Sequence, residues 1–381
     1  MVKEDLLIAG LIRAVFAACL FAACLFAPPA GAQSKVPSAT TAKELIRQAY
    51  VKTKDVKSPD ELTEIVRMCE QARRGELAPD LKEYVQQLLA WTHNRRGEFY
   101  TQEAGTLTNS GQRERATKLD KQALSEFETA VKLNPNYWKA HHNRGVSYAL
   151  AGKVDDAISD FNRAIELQPT YGNAWFNRGE VYYDRGKYTE AIRDYDEAIR
   201  LKPDDHEAYL RRGHTRFQLQ QRSEALADYN RAVELAPDNA AAITIRGDAH
   251  RSLGQWARAD ADYRRAIELE GNFAHAHQSA AWLMATCPEP DFRNEQLAVQ
   301  YAQKALELLG QQDYQYLDTL AAAYANAGDF ATAKQQLQTA IKIAPPTQAA
   351  GLKSRLALYE KSNPYREGIT ASGRPTLRGS N

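Results

Sequence analysis

Pro135, Pro169, Pro203 and Pro237 stand 34 residues apart without exception, and Gly271 takes the same place one period later. Proline cannot continue an α-helix and disfavours helical backbone at the residue before it, so each of these prolines ends an element. An ending that recurs at a fixed period of this length implies one supersecondary unit repeated, each copy burying its apolar face against the next. The regular blocks begin at Trp138, Gly172, His206 and Ala240, and each of these residues is numbered position 1 of its repeat.

Inside the blocks the same residue types recur at fixed offsets. Position 8 is Gly145, Gly179, Gly213 and Gly247; position 20 is Ala157, Ala191, Ala225 and Ala259; position 27 is Ala164, Ala198, Ala232 and Ala266. Side chains this small let two helices approach closely, and the aromatic at position 24 (Phe161, Tyr195, Tyr229, Tyr263) fills the space beside them. Gly152, Gly186 and Gly254 sit midway, where a left-handed turn between two helices is easiest for glycine, and Gln220 replaces them once. Each block therefore predicts two antiparallel helices.

These residues at these spacings resemble the tetratricopeptide repeat family. The resemblance implies an all-α, right-handed α-α superhelix whose concave groove is lined by the first helix of each pair. It also implies a protein-binding scaffold; the sequence itself carries no HExxH, GxGxxG, Walker loop or nucleophile elbow, so no enzymatic chemistry and no cofactor are expected. The array is expected over residues 76–347, with repeats near 81–137, 138–171, 172–205, 206–239, 240–273, 274–309 and 314–347. In the first repeat Arg96-Gly97-Glu98-Phe99-Tyr100 matches Arg178-Gly179-Glu180-Val181-Tyr182. There a helix over 81–104 and its partner over 113–133 are expected to flank an inserted polar loop around 105–109. In the sixth repeat Cys287-Pro288-Glu289-Pro290 lengthens the turn. A degenerate helix pair over 42–75 precedes the array, a capping helix over 348–362 follows it, and the polar, glycine-rich tail 363–381 is expected to be disordered.

The N-terminus has a different character. Ala14 to Ala27 is uncharged and apolar, Lys3 and Arg13 precede it, and Ala30-Gly31-Ala32 offers small residues at a cleavage spacing. Residues 1–32 are expected to be a signal peptide, 33–41 a linker, and the mature protein periplasmic or extracellular. The alternatives are a retained membrane anchor and lipidation at Cys24. The apolar core is shorter than the ~20 residues needed to span a bilayer, and no span is expected after cleavage. Removal of Cys19 and Cys24 leaves Cys69 and Cys287 too far apart along a linear stack for a disulfide, so both are expected to be structural thiols.

With 49 Lys and Arg against 48 Asp and Glu, the chain lacks the basic excess that nucleic acid binding needs. His141-His142 and His275/His277 are spaced one and two apart, which points neighbours away from each other on a helix, so no metal is expected. In the family the groove is formed by positions 2, 5, 6, 9, 12 and 13 of the first helix. Here these positions nominate His142, Asn143, Phe176, Asn177, Glu180, Tyr183, Arg211, His214 and Phe217 for contact with a protein or peptide partner, with Asn143, Asn177, Glu180, Arg211 and His214 partly exposed. The pattern that grips chaperone C-terminal tails is matched only by Asn177 and Arg211; His142, Val146 and Glu207 stand in its other places, and Glu207 repels a carboxylate. The alternative functions are an enzyme or enzyme subunit with an unrecognised site, such as the 105–112 insertion, and a self-assembling structural repeat joined through an uncapped end.

One covariation lies outside the family pattern. Position 7 is Arg144, Arg178, Arg212 and Arg246, and position 23 is Asp160, Asp194, Asp228 and Asp262 in the same repeats; Arg96 and Glu126 keep the pairing in the first. Where the arginine is lost, at Ala280 and Leu320, the acid is lost too, at Tyr301 and Gln336. Paired loss predicts an arginine–carboxylate bridge between the two helices of each repeat.

Overall fold

Two antiparallel helices form in every proline-bounded block. A computed structural model describes residues 37–369 and 375–377; residues 1–32, read as a signal peptide, Cys24 and most of the far C-terminal tail lie outside them. The chain divides into two compact units between Leu201 and Lys202. The first contains α1 (Ala39–Thr53), α2 (Pro59–Arg73), α3 (Pro79–Asn109), α4 (Arg113–Leu133), α5 (Trp138–Leu150), α6 (Val154–Leu167), α7 (Gly172–Asp184) and α8 (Tyr188–Leu201). The second contains α9 (His206–Gln218), α10 (Arg222–Leu235), α11 (Ala240–Ser252), α12 (Trp256–Leu269), α13 (Ala274–Thr286), α14 (Glu295–Leu309), α15 (Tyr314–Asn326), α16 (Phe330–Ile343) and α17 (Pro346–Glu360). A short 3₁₀ turn, Pro290–Phe292, and a hairpin of β1 (Glu367–Ile369) with β2 (Pro375–Leu377) complete it.

The small residues explain the close packing within each pair. A Cβ added at Gly179 would lie 2.9 Å from the Tyr195 ring, and one at Gly213 or Gly247 would lie 2.6 Å from Tyr229 or Tyr263. The rings themselves are fully or nearly fully buried, so the position-8 glycine is the floor on which the position-24 aromatic rests. At the turns Gly152, Gly186 and Gly254 have φ near +70°, and Gln220 adopts the same left-handed geometry at +64°.

The arginine–acid pairs form as a ladder. Arg178 Nε and Nη2 donate to both carboxylate oxygens of Asp194 at 2.8 and 2.7 Å, and Arg144 does the same to Asp160 at 2.7 and 2.8 Å. In the second unit Arg212 reaches Asp228 at 3.1 and 2.6 Å, and Arg246 reaches Asp262 at 2.9 and 2.6 Å. Arg96 makes a single bond of 2.9 Å to Glu126, whose other oxygen meets His93 Nδ1 at 2.8 Å. Burial would raise the Asp160 carboxyl, but Arg144 and His141 hold it below the usual range.

Two expectations are corrected. The insertion in the first repeat is not a loop: α3 continues unbroken through Gly105 to Asn109, and α4 has 21 residues where the regular second helices have 14. The extra residues lengthen both helices by about two turns each, and Ala104 and Ala116 are buried in this extension. The tail is also ordered at its start. Tyr365 and Glu367 are buried, and Arg366 donates to the carbonyl of Ala285 and the amide oxygen of Asn326 at 2.9 and 2.8 Å. Its partners are spread over several repeats, which no local composition reveals.

Helix α1 begins at Ala39, inside the span read as linker. Cys69 and Cys287 are buried free thiols, and burial pushes them up to about 12 and about 11. Leu352 and Tyr359 of α17 are buried, and Arg355 donates to both oxygens of Asp318 on α15, which ties that helix to the last repeat.

Candidate functional site

The first helices of the repeats present the nominated side chains, and each unit does so separately. In the first unit the nominated polar residues are bound to one another. Asn177 Nδ2 lies 2.9 Å from His142 Nε2, so this nitrogen accepts, which leaves the ring proton on Nδ1, 3.1 Å from the Asn143 oxygen. The Asn143 amide then donates to Asn94 Oδ1 at 2.9 Å and Glu98 Oε1 at 3.2 Å, and Asn94 donates to the same Glu98 oxygen at 2.9 Å. This chain of hydrogen bonds runs from α7 through α5 to α3 and ends on a carboxylate. Burial lowers His142 to about 4, consistent with a neutral ring.

Partial exposure was the expectation for Asn143 and Glu180, and the structure corrects it. Asn143, Glu180 and His142 are all buried, at 4, 4 and 2% exposure. Glu180 accepts from the Tyr195 hydroxyl at 2.5 Å. Asn177, Phe176 and Tyr183 remain half-buried at the surface. Phe176 packs on Tyr195 with ring centroids 5.8 Å apart, and Tyr183 on Tyr188 at 5.5 Å, so both are braced by the second helix of their own repeat.

In the second unit Arg211, His214 and Phe217 are half-buried along α9. Arg211 Nε donates to Glu207 at 2.8 Å, so the acid expected to repel a carboxylate is bound to the arginine expected to attract one. His214 Nδ1 donates to the Leu210 carbonyl at 2.9 Å and its ring meets Tyr229 edge-on, while the Arg222 guanidinium lies 4.8 Å above Phe217. Further along, on α11, Asp248 accepts from the Tyr263 hydroxyl at 2.8 Å and pairs with His275 at 3.3 Å. Burial would raise Asp248, yet His275, Arg251 and Tyr263 together hold it low.

Models of the tetratricopeptide repeat match residues 138–171 and 206–239, 161–193, 240–273 and 314–347, and a TPR repeat model matches 179–220. The chain belongs to the tetratricopeptide repeat family. No curated protein matches it. Among solved structures it is similar to the MamA protein, with 25% identity over 45% of this chain and 92% of that one and a TM-score of 0.40. It is also similar to YrrB, described as a TPR protein with an unusual peptide-binding site, at 21% identity over 50% of this chain and 95% of that one, with a TM-score of 0.42. For pilF of Pseudomonas aeruginosa the identity is 16% over 59% and 96%, with a TM-score of 0.48. Proteins of this family are in general scaffolds for protein interaction, and no helix among the described residues is long and apolar enough to cross a membrane.

The tetratricopeptide repeat positions also carry a pairing that sequence reasoning missed. Position 9 answers position 24: Glu180 and Asp248 face the hydroxyls of Tyr195 and Tyr263, whereas Val146 stands in the repeat whose aromatic is Phe161 and has no hydroxyl to bind. The signal was legible at a fixed offset of 15 residues, and it marks Glu180 as a partner of the core. Arg251, at position 12 of α11, was not singled out, because its partner Glu367 lies 116 residues away.

Proposed function

We infer that this protein is a non-catalytic scaffold of the cell envelope that holds partner proteins or extended peptide segments on the faces that the first helices form in each of its two units. The observation that carries this reading is the set of side chains left half-open there on a braced framework: Phe176, Asn177 and Tyr183 in one unit, Arg211, His214 and Phe217 in the other. Aromatic and arginine side chains already held by their neighbours lose little freedom on binding, which suits them to anchor a partner. The signal-like residues 1–32 support an exported location. The remaining hydrogen-bond capacity of Asn177 suits a peptide backbone.

The test is crosslinking of the tagged protein in its native envelope, with identification of what it captures. Tyr183→Ala combined with Arg211→Ala is expected to reduce capture at least ~10-fold, the range of hot-spot losses, while circular dichroism keeps the full helical signal. Undiminished capture by the double variant would rule out these faces.

A further inference from the structure

The first-helix face of the second unit is already occupied along α11, α13 and α15, by the chain's own C-terminal segment. After α17 the backbone leaves the helix at Ser362, with φ +55°, and residues 363–366 cross the unit without helical structure before β1 begins. Tyr365 is 5% exposed; its ring packs against Trp282 of α13 at 5.9 Å and under the Arg355 guanidinium at 5.5 Å. Arg366 reaches the Ala285 carbonyl on α13 and Asn326 on α15. Glu367, 4% exposed, receives Arg251 Nη1 of α11 at 2.6 Å. Three consecutive residues thus engage the first helices of three consecutive repeats, at positions 9, 12 and 13, which is how an extended ligand lying across them would be read.

The acidic anchor is incomplete. The ladder arginines of the regular repeats hold their aspartates with two nitrogens, whereas Arg251 uses one, and both its Nε and the second oxygen of Glu367 are buried without a hydrogen-bond partner. A buried carboxylate–guanidinium pair that leaves a donor and an acceptor unmade forfeits part of what burial cost. A ligand whose carboxylate met Arg251 squarely would gain both bonds.

From this geometry we propose that residues 364–367 are an intramolecular ligand. The face they cover is the binding site for an extended partner segment of aromatic–basic–acidic sequence, which displaces the tail to bind. The proposal rests on the reading that the first-helix face takes a protein partner, and it adds the partner's chemistry and the occupant that competes with it. A tethered segment acts at an effective concentration in the millimolar range, so it masks the face against weak ligands and yields to tighter ones.

The probe is a fluorescein-labelled peptide of residues 363–368 (Asn-Pro-Tyr-Arg-Glu-Gly), titrated by anisotropy against the full chain and against the full chain carrying Tyr365→Ala and Glu367→Ala. The loosened chain is expected to bind at least ~10-fold more tightly than the unaltered one. Adding Arg251→Glu should abolish binding, and a peptide with arginine in place of Glu367 should restore it. Equal binding to both chains, or no binding to a loosened chain that keeps its helical signal, overturns the proposal. Loss of the helical signal on loosening also overturns it, because the segment is then part of the core; the charge swap Arg251→Glu with Glu367→Arg checks this without emptying the face. If the loosened chain crosslinks to envelope partners but ignores the peptide, only this inference fails; if it captures neither, the scaffold reading fails with it.

Discussion

Arg178 shows what a single residue contributes to this array. Its side chain is 15% exposed and that of Asp194 4%, both carboxylate oxygens are used, and its third nitrogen reaches Asn162 of the preceding repeat at 2.6 Å. Arg178→Ala leaves Asp194 buried and unpaired, and is expected to cost about 3 kcal/mol or more, read as a lowered midpoint in urea denaturation. Replacing both partners with apolar residues, Arg178→Met with Asp194→Leu, should recover most of that loss, since the penalty comes from the orphaned charge. Gln220 is the opposite case. It occupies a left-handed turn at φ +64° where the other regular repeats have glycine, so Gln220→Gly is expected to stabilise the second unit by about 1 kcal/mol, measured in the same way.

Among elements, α3, α5 and α7 are joined by the polar chain that passes through His142. The ring accepts from Asn177, so protonation would set N–H against N–H. Folding lowers this histidine from its ordinary 6.5 to about 4, so the unfolded chain takes up the proton first. The stabilisation is complete above pH 6.5 and is lost as pH falls toward 4. Between pH 7.5 and 4.5 this one site should remove about 2.5 kcal/mol of unfolding free energy. A His142→Gln variant, compared with the parent by chemical denaturation at both pH values, should show a loss smaller by that amount; an equal loss would show that the ring titrates freely. The helix pairing itself was legible in advance, because the glycine, the aromatic and the arginine–acid pair all recur at fixed offsets within one repeat. The continuation of α3 through residues 105–109 was not. Gly105 and the threonines around it have poor intrinsic helix preference, and only the lengthened α4 alongside supplies the packing that overrides it.

For the whole molecule, each unit combines strict repetition with contacts that occur once. The repeat is local: the residues that meet lie within 34 positions of one another, so the period, the helix pairs of the regular repeats and the ladder follow from the sequence read by itself. The half-open groove residues were nominated from the same period, but their final exposure depended on neighbours in adjacent repeats. Asn143 was nominated as accessible and is instead enclosed by Asn94 and Glu98, some 45 to 49 residues earlier. The tail marks the furthest limit. Its polar, glycine-rich composition argues for disorder, yet Tyr365, Arg366 and Glu367 find Trp282, Asn326 and Arg251. The sequence alone thus determined the family, the helix pairs and their internal bridges, because these are set by short-range steric and charge complementarity repeated in register. Tertiary structure alone decided which groove side chains stay open and what lies across the second unit's face, because those outcomes depend on single, non-periodic contacts between segments distant in the chain.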